Sequence, residues 1–189
     1  MKRGSIIYII TILITVFLIF LVPLIGIFND HASAYLHSLF RPFCHQYAYR
    51  SLCIQKEMPF ITNCLKPSEN ATAYLFINSK VMVKNISFSK SDIGIVRPYK
   101  IKTDKVKYVF PVCARDTGFY VGLLIGIIIF RKKNIKISIP LYILFIIPFL
   151  ADGMLQLIFN YESSNMTRIL TGLVAGSATS IVVLDGLER

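Results

Sequence analysis

A long uncharged run near the start of the chain constrains the fold more than any other feature. Residues 6–28 contain no charged side chain, and about 20 consecutive apolar residues are enough to cross a bilayer as a helix. Ala32-Ser33-Ala34 resembles a signal-peptide cleavage site, but the apolar core of a signal peptide is only ~7–15 residues long. We therefore expect residues 1–30 to form a membrane-spanning helix that is kept in the protein.

Three further apolar runs follow in the second half of the chain, at residues 111–130, 137–159 and 168–184. The composition agrees with several spans, because 54% of the residues are hydrophobic and only 16% are charged, against roughly 25% charged in soluble domains. The sequence thus predicts an all-α integral membrane protein with four transmembrane helices. The last three of these helices would occupy residues 111–189.

Basic residues beside these runs predict the orientation. Lys2 and Arg3 precede the first run, and the basic segment RKKNIK joins the second run to the third. The other short connection, NYESSNMTR, contains a single basic residue. Because short cytoplasmic loops carry an excess of Lys and Arg, we expect a cell-membrane protein with both termini in the cytoplasm. The long segment after the first span would then be extracytoplasmic.

That long segment divides into two parts. Residues 31–70 mix aromatic side chains with Cys and His, and we expect them to form an interfacial segment that carries a Cys/His motif. Residues 71–110 contain the short alternating pieces AYLFI, KVMVKNISF and KVKYVF, separated by turn signals, which is typical of strands. The sequence therefore predicts a small β-rich extracytoplasmic insertion over 71–110.

The formal net charge of +11 raises the question of an acidic partner. Most of the basic residues lie in the segments expected to be aqueous loops, and no nucleic-acid-binding motif accompanies them. We expect the partners to be the lipid bilayer and its anionic headgroups, and not nucleic acid. A homo-oligomer remains open.

Asp152 stands out because it lies inside the apolar stretch IPFLADGMLQLIF. A charge in hydrocarbon costs at least ~2.5–3.5 kcal/mol, so such a residue should be paired or face a wet cavity. Gln156 lies one helical turn further on, and Arg115, Asp116 and Arg168 are expected at the same, outer side of the membrane. We therefore predict an outer-leaflet polar site with Asp152 paired to arginine. The alternative is a salt bridge that only locks the helices together.

Small residues recur at every fourth position in the second and fourth expected spans. Such stripes let helix backbones approach closely in lipid, so we expect these two helices to pack against each other. The stripes are Gly118, Gly122 and Gly126 in one span, and Gly172, Gly176 and Ser180 in the other.

Four blocks of the sequence resemble the motifs of an uncharacterised family of small prokaryotic multi-pass membrane proteins, defined only as a domain of unknown function. The blocks are CHQYAYRS (44–51), PVCARDTGFYVG (111–122), DGMLQ (152–156) and SSNMTRILTGLVAG (163–176). Residues 54–110 form a longer insertion than the resemblance leads us to expect. The resemblance implies a shared site without implying its chemistry. It implies that the following residues match the signature: Cys44, His45, Gln46, Arg50, Ser51, Cys113, Arg115, Thr117, Gly118, Tyr120, Gly122, Asp152, Gly153, Gln156, Asn165, Arg168, Thr171 and Gly172.

These residues lead to a hypothesis of function, namely a membrane enzyme acting on a lipid-linked or anionic amphiphilic substrate. Its catalytic candidates are Asp152, Asp116 and Gln156. The substrate-binding candidates are Gln46, Arg50, Arg115, Tyr120, Asn165 and Arg168, of which the arginines suit phosphate or carboxylate. A small transporter or channel subunit, or a structural or partner-binding membrane protein, are the alternatives. No P-loop, dinucleotide-binding, HExxH or serine-hydrolase motif is present.

The cysteines leave several chemistries open. Cys44, His45 and Cys113 are soft ligands that suit zinc or a similar divalent metal, although the paired cysteine spacing of structural zinc sites is missing. Membership of the motifs suggests instead the disulfides Cys44–Cys113 and Cys53–Cys64, in an oxidising compartment. A third hypothesis keeps Cys44 as a reactive thiol.

Overall fold

The computed structural model describes residues 2–40, 50–57, 59–65, 70–77, 80–87, 98–133, 135–159 and 163–189. Within these ranges the chain forms five helices and six strands. In chain order they are α1 (Arg3–Phe28), α2 (Asp30–Leu39), β1 (Ser51–Gln55), β2 (Ile61–Asn63), β3 (Asn70–Ile77), β4 (Lys80–Ser87), β5 (Lys100–Lys102), β6 (Val106–Cys113), α3 (Ala114–Lys133), α4 (Ile139–Phe159) and α5 (Asn165–Glu188). The chain divides into a helical unit, Met1–Phe17 with Ala114–Arg189, and a sheet unit, Leu18–Cys113.

The sheet unit holds all six described strands in one antiparallel sheet, in the order β2-β1-β6-β5-β3-β4. Within β3, buried side chains alternate with half-buried ones, as expected of a strand with one well-covered face. The covered face carries the core of this unit. Its buried members are Cys53, Cys64, Leu65, Ala71, Ala73, Leu75, Ile101 and Val109.

In the sheet unit, a disulfide bond links Cys53 in β1 to Cys64, the residue that follows β2. The two Cα atoms are 5.0 Å apart, and both residues are fully buried. This is one of the two pairs predicted from the sequence. Because Cys44 lies outside the described residues, the Cys44–Cys113 pair stays a prediction.

In the helical unit, α3 and α5 pack through their glycines. A Cβ atom added at Gly122 would lie 2.4 Å from the carbonyl oxygen of Leu173, and one added at Gly126 would lie 2.4 Å from that of Ser177. The backbones thus touch where no larger residue fits, which confirms the packing predicted from the glycine stripes. The contact positions advance together along both helices, so α3 and α5 run parallel.

The first part of α1 also belongs to the helical unit and packs against α5. The Tyr8 hydroxyl donates to Ser180 Oγ at 3.3 Å, and a Cβ atom at Gly4 would lie 3.4 Å from Leu187. These contacts bring residues near the two chain termini to the same end of the unit. We call it the basic end, after Lys2, Arg3, Arg131, Lys132, Lys133, Lys136 and Arg189.

The expectation of an all-α protein with four transmembrane helices is wrong. The described residues contain a six-stranded antiparallel sheet, and three helices are long and apolar enough to cross a membrane: α1, α4 from Ile139 to Gln156, and α5. The expected second span, 111–130, begins in β6, and its helix α3 carries charge near both ends. The uncharged run between Asp116 and Arg131 is shorter than the ~20 apolar residues of a typical span, so α3 is not among these three helices.

Candidate functional site

Helix α4 places its polar side chains inside the protein and its apolar side chains outside. Of the α4 residues whose burial is described, only Asp152 and Gln156 are buried, at 7% and 6% exposure. Large apolar residues such as Leu144 and Ile147 are more than half exposed. This pattern is the reverse of a helix on a water-soluble domain, and it fits a helix whose outer face contacts lipid.

Asp152 forms an ion pair with Arg115 from the first turn of α3. Their Oδ2 and Nη2 atoms are 2.8 Å apart, and the arginine side chain is 17% exposed. Gly153 leaves room for the guanidinium, because a Cβ atom there would lie 2.8 Å from Arg115 Nη1. The Phe149 ring lies on another side, with its centroid 5.8 Å from the Arg115 Cζ atom. The guanidinium is therefore held by a carboxylate, a helix backbone and an aromatic ring.

Gln156 connects this ion pair to the start of α5. Its Nε2 donates to Asp152 Oδ2 at 3.1 Å and to Ser163 Oγ at 2.7 Å. Gln156 follows Asp152 by one turn, so the helix itself brings the amide and the carboxylate together. We call Arg115, Asp152, Gln156 and Ser163 the Asp152 cluster. All four belong to the helical unit.

A second polar pair lies at the beginning of α5. Ser164 is the N-cap of this helix, and its Oγ accepts from the backbone N–H of Thr167 at 3.1 Å, as serine commonly does at helix starts. Asn165 and Arg168 follow on the helix, and Arg168 Nη1 donates to Asn165 Oδ1 at 3.0 Å. Arg168 is only 2% exposed. A guanidinium so deep in the unit is costly unless other groups hold it.

The structure thus brings part of the predicted site together. Asp152, Arg115 and Gln156 are in direct contact, which confirms the expected pairing of the aspartate with an arginine. Asp116 and Tyr120 lie half-buried on α3. The sheet unit contains two further members, Arg50 and Cys113. Gln46, Cys44 and His45 fall outside the described residues.

Two residues at this site escaped the sequence analysis, one member of the Asp152 cluster and one neighbour of it. Ser163 accepts the hydrogen bond from Gln156, and Phe149 covers Arg115. Phe149 precedes Asp152 by three residues, so helical spacing alone could have placed it on the same face. Ser163 carried no such signal, because it lies beyond the end of α4.

The described residues do not fit a metal ion at this site. Within them, no group of three or more His, Cys, Asp or Glu side chains is placed to hold a metal. Asp152 is paired instead with the Arg115 cation, and a positive charge beside the carboxylate opposes the approach of a second cation. The predicted ligands Cys44 and His45 are not among the described residues, so the zinc hypothesis stays a prediction.

The sheet unit has a polar cluster of its own, around Asp30 at the start of α2. Asp30 accepts hydrogen bonds from Lys100 Nζ and the Tyr108 hydroxyl. Burial acts to raise the pKa of Asp30, but these hydrogen bonds and the charges of Lys100 and Lys56 hold that pKa below its ordinary value. Burial, followed by the bond to Asp30, raises the pKa of Tyr108. The cluster ties α2 to strands β5 and β6.

The helical part of the chain matches a known family model. The family described as "Predicted membrane protein (DUF2085)" matches residues 106–182. This range contains β6, α3, α4 and most of α5, and with them the whole Asp152 cluster. Most of the sheet unit lies before it.

Two relatives from methanogenic archaea are each similar to this chain over less than half of its length. An uncharacterized protein of Methanocaldococcus jannaschii is 42% identical over 78 residues, which are 39% of this chain and 50% of that protein. An uncharacterized protein of Methanothermobacter thermautotrophicus is 35% identical over 78 residues, 40% of this chain and 70% of that protein. The chain thus spans about half the length of the first relative. No solved structure matches this chain.

Proposed function

We propose that this chain, which belongs to the DUF2085 family of predicted membrane proteins, is a membrane enzyme acting on an anionic or lipid-linked amphiphile. The Asp152 cluster is its proposed site. The observation that carries the proposal is the burial of a carboxylate, a guanidinium and an amide by helices whose exposed surface is apolar. Ionisable groups inside membrane helices are costly, and they commonly mark functional sites.

Arg115 is the proposed anion-binding group. Arginine binds phosphate and carboxylate groups in two-pronged geometry. Its Nε atom is buried and has no hydrogen-bond partner among the described residues, so a bound anion would supply an acceptor that this donor lacks. The Phe149 ring and the Gly153 backbone limit where the guanidinium can move, which would orient the headgroup that it binds.

Asp152 is the proposed proton acceptor. Both described contacts, from Arg115 and from Gln156, meet the same oxygen, Oδ2. Within the described part of the chain, Oδ1 therefore has no bond that would have to break before it could take a proton from a substrate hydroxyl or a water. Gln156 is anchored to Ser163 and would hold the carboxylate in that orientation.

The experiment compares the lipids of membranes that contain different variants. The wild type, Asp152→Asn, Arg115→Gln and Gly186→Ala are expressed in the same host, and total lipid extracts are compared by mass spectrometry. Gly186→Ala is the matched control, since nothing lies within 4 Å of the added Cβ. We expect the wild type and the control to change the abundance of some lipid species in the host. The two site variants should leave the abundance of those species unchanged.

A further variant separates catalysis from a purely structural ion pair. The double substitution Arg115→Met with Asp152→Leu replaces the pair by apolar side chains, which is often neutral or stabilising for buried pairs. We expect this variant to fold and to leave the lipids unchanged. If this double variant changes the lipids as much as the wild type does, the proposal is contradicted. The ion pair would then have only a structural role.

The proposal also includes an orientation, with the basic end of the helical unit in the cytoplasm and the Asp152 cluster towards the outside. Two observations support it: both chain termini lie near the basic end, and short cytoplasmic segments are rich in Lys and Arg. Single cysteines placed after Arg189 and at the exposed Ser164 test it, in a background that lacks Cys44 and Cys113 and keeps the Cys53–Cys64 disulfide. A thiol reagent that does not cross the membrane should label Ser164→Cys in intact cells and leave the C-terminal cysteine unlabelled.

A further inference from the structure

Helix α2 has two different faces. One face is buried in the sheet unit and includes Ser33, Ala34 and His37. The other is exposed at His31, Tyr35 and Leu39, which are four residues apart and so lie on one stripe. Tyr35 is 60% exposed and Leu39 is 53% exposed. An aromatic and a leucine thus lie on a face of this short helix that the described residues of the unit do not cover.

The position of α2 along the chain limits what that partner can be. α2 follows α1 after a single residue, Asn29, whose extended backbone breaks the helix and whose side chain caps the new one by accepting from Ala32 N–H at 3.0 Å. α1 is 26 residues long, roughly 39 Å at 1.5 Å per residue, and the hydrocarbon core is only ~30 Å thick. The last turns of α1 therefore extend to the headgroup region if its start lies at the opposite interface.

Helix α2 is held beside these last turns. Ser33 Oγ donates to the carbonyl oxygen of Val22 at 3.0 Å in a buried contact, and Asp30 is fixed by Lys100 and Tyr108. The end of α1 is partly uncovered, since Phe28 is 89% exposed although Val22 is fully buried. Exposed apolar side chains thus lie on both sides of the short connection at Asn29, at Phe28 on α1 and at Tyr35 on α2.

We infer that α2 is an interfacial helix, with Tyr35 and Leu39 inserted among the headgroups and upper acyl chains of the lipid leaflet that α1 leaves. Tyrosine is favoured at this depth because its ring is apolar and its hydroxyl reaches water. An amphipathic helix in the interface buries its apolar face ~5–10 Å deep. The sheet unit would then be held at the membrane surface by α2. This inference does not depend on the proposed enzyme activity.

Single tryptophans can test the inference directly, because the chain contains none. Tyr35→Trp and Leu39→Trp are made in the full chain and reconstituted into phosphatidylcholine vesicles. Part of the lipid carries bromine, which quenches tryptophan on contact, either near the headgroup or near the bilayer centre. Phe17→Trp serves as the depth reference, since Phe17 is an exposed residue in the middle of α1.

We expect both α2 variants to be quenched more strongly by bromine near the headgroup, and Phe17→Trp more strongly by bromine at the bilayer centre. Intact Cys53–Cys64 disulfides, checked by a thiol count, show that each variant has folded. Emission from folded Tyr35→Trp and Leu39→Trp that neither brominated lipid quenches would overturn the inference. A blue-shifted spectrum in that case would show that protein, and not lipid, covers these side chains.

Discussion

Strand β3 in the sheet unit and helix α4 in the helical unit bury opposite kinds of side chain. β3 buries Ala73 and Leu75, and its neighbour β5 contributes Ile101 to the same core. α4 buries Asp152 and Gln156 and exposes isoleucine, leucine and phenylalanine. The difference fits a strand beside water and a helix beside lipid. Apolar side chains gain free energy when they leave water for a core, but they gain little when they leave lipid.

The two units also differ in how their backbones are held together. The sheet unit has cross-strand hydrogen bonds and the Cys53–Cys64 disulfide. The helical unit has close glycine contacts and a buried ion pair, because in lipid the association of helices depends on packing and polar contacts. We therefore expect a substitution in one unit to leave the stability of the other unit largely unchanged. Measurements on single variants can contradict this expectation.

The largest effect is expected at the α3–α5 contact. In Gly122→Leu the new side chain would begin 2.4 Å from the Leu173 carbonyl oxygen, and rigid backbones cannot make space for it. We expect a loss of at least ~3 kcal/mol, measured by denaturant unfolding in detergent micelles with circular dichroism at the helix band. Gly186→Ala is the control and should unfold like the wild type. Equal stability of the two variants would mean that α3 and α5 do not pack in this way.

Removal of the disulfide should affect the other unit. Cys53→Ser with Cys64→Ser opens a loop of sequence separation 11, which should cost the sheet unit about 3 kcal/mol. Limited proteolysis should then cut between β1 and β6 while the helical unit resists. Reduction of the wild type with a thiol reagent should reproduce the result. Cleavage of both units at the same rate would show that they unfold as one.

A smaller effect is expected from the energetic coupling between Arg115 and Asp152. Each single change, Arg115→Met or Asp152→Leu, leaves one buried charge without its partner, whereas the double change removes both charges. We expect the double variant to be more stable than the sum of the singles predicts, by about 2 kcal/mol. Denaturant unfolding in micelles measures all four proteins of the cycle. Additive effects would contradict the close ion pair.

The smallest effect is expected at Asp30, whose side chain is 40% exposed. Asp30→Asn should cost roughly 1 kcal/mol, since water screens a charge pair at such a site. The pKa of Asp30 is held below its ordinary value in the fold, so its contribution is present above that ordinary value, about 3.9, and is lost as the pH falls further. Wild type and variant should converge in stability on acidification. Parallel pH curves would exclude this pairing.

Much of the helical unit could be read from local sequence. The glycine stripes predicted the α3–α5 packing, because a residue every fourth position lies on one helix face whatever the rest of the chain does. The contact between Asp152 and Gln156 follows from the same spacing. Within the pieces AYLFI, KVMVKNISF and KVKYVF, residues 73–77, 80–87 and 106–110 are found in β3, β4 and β6, since strand periodicity is also local.

The junction at Cys113 and Ala114 was not predictable in this way. PVC is apolar and leads directly into the apolar helix α3, so it read as the beginning of a span, but it completes β6 opposite Ser51. β1 gave no alternation either, because all five of its residues are buried. Short fully buried runs fit a helix or a strand equally well from sequence.

Sequence by itself determined where the apolar helices α1, α4 and α5 lie, which residues share a helix face, and that Asp152 would need a partner. Tertiary structure decided that the partner is Arg115, that Ser163 completes the cluster while Phe149 lies against Arg115, and that β1 and β6 join in one sheet. The physical reason is the distance along the chain. Helical spacing acts between near neighbours, whereas these contacts join distant segments whose approach depends on how all the elements pack.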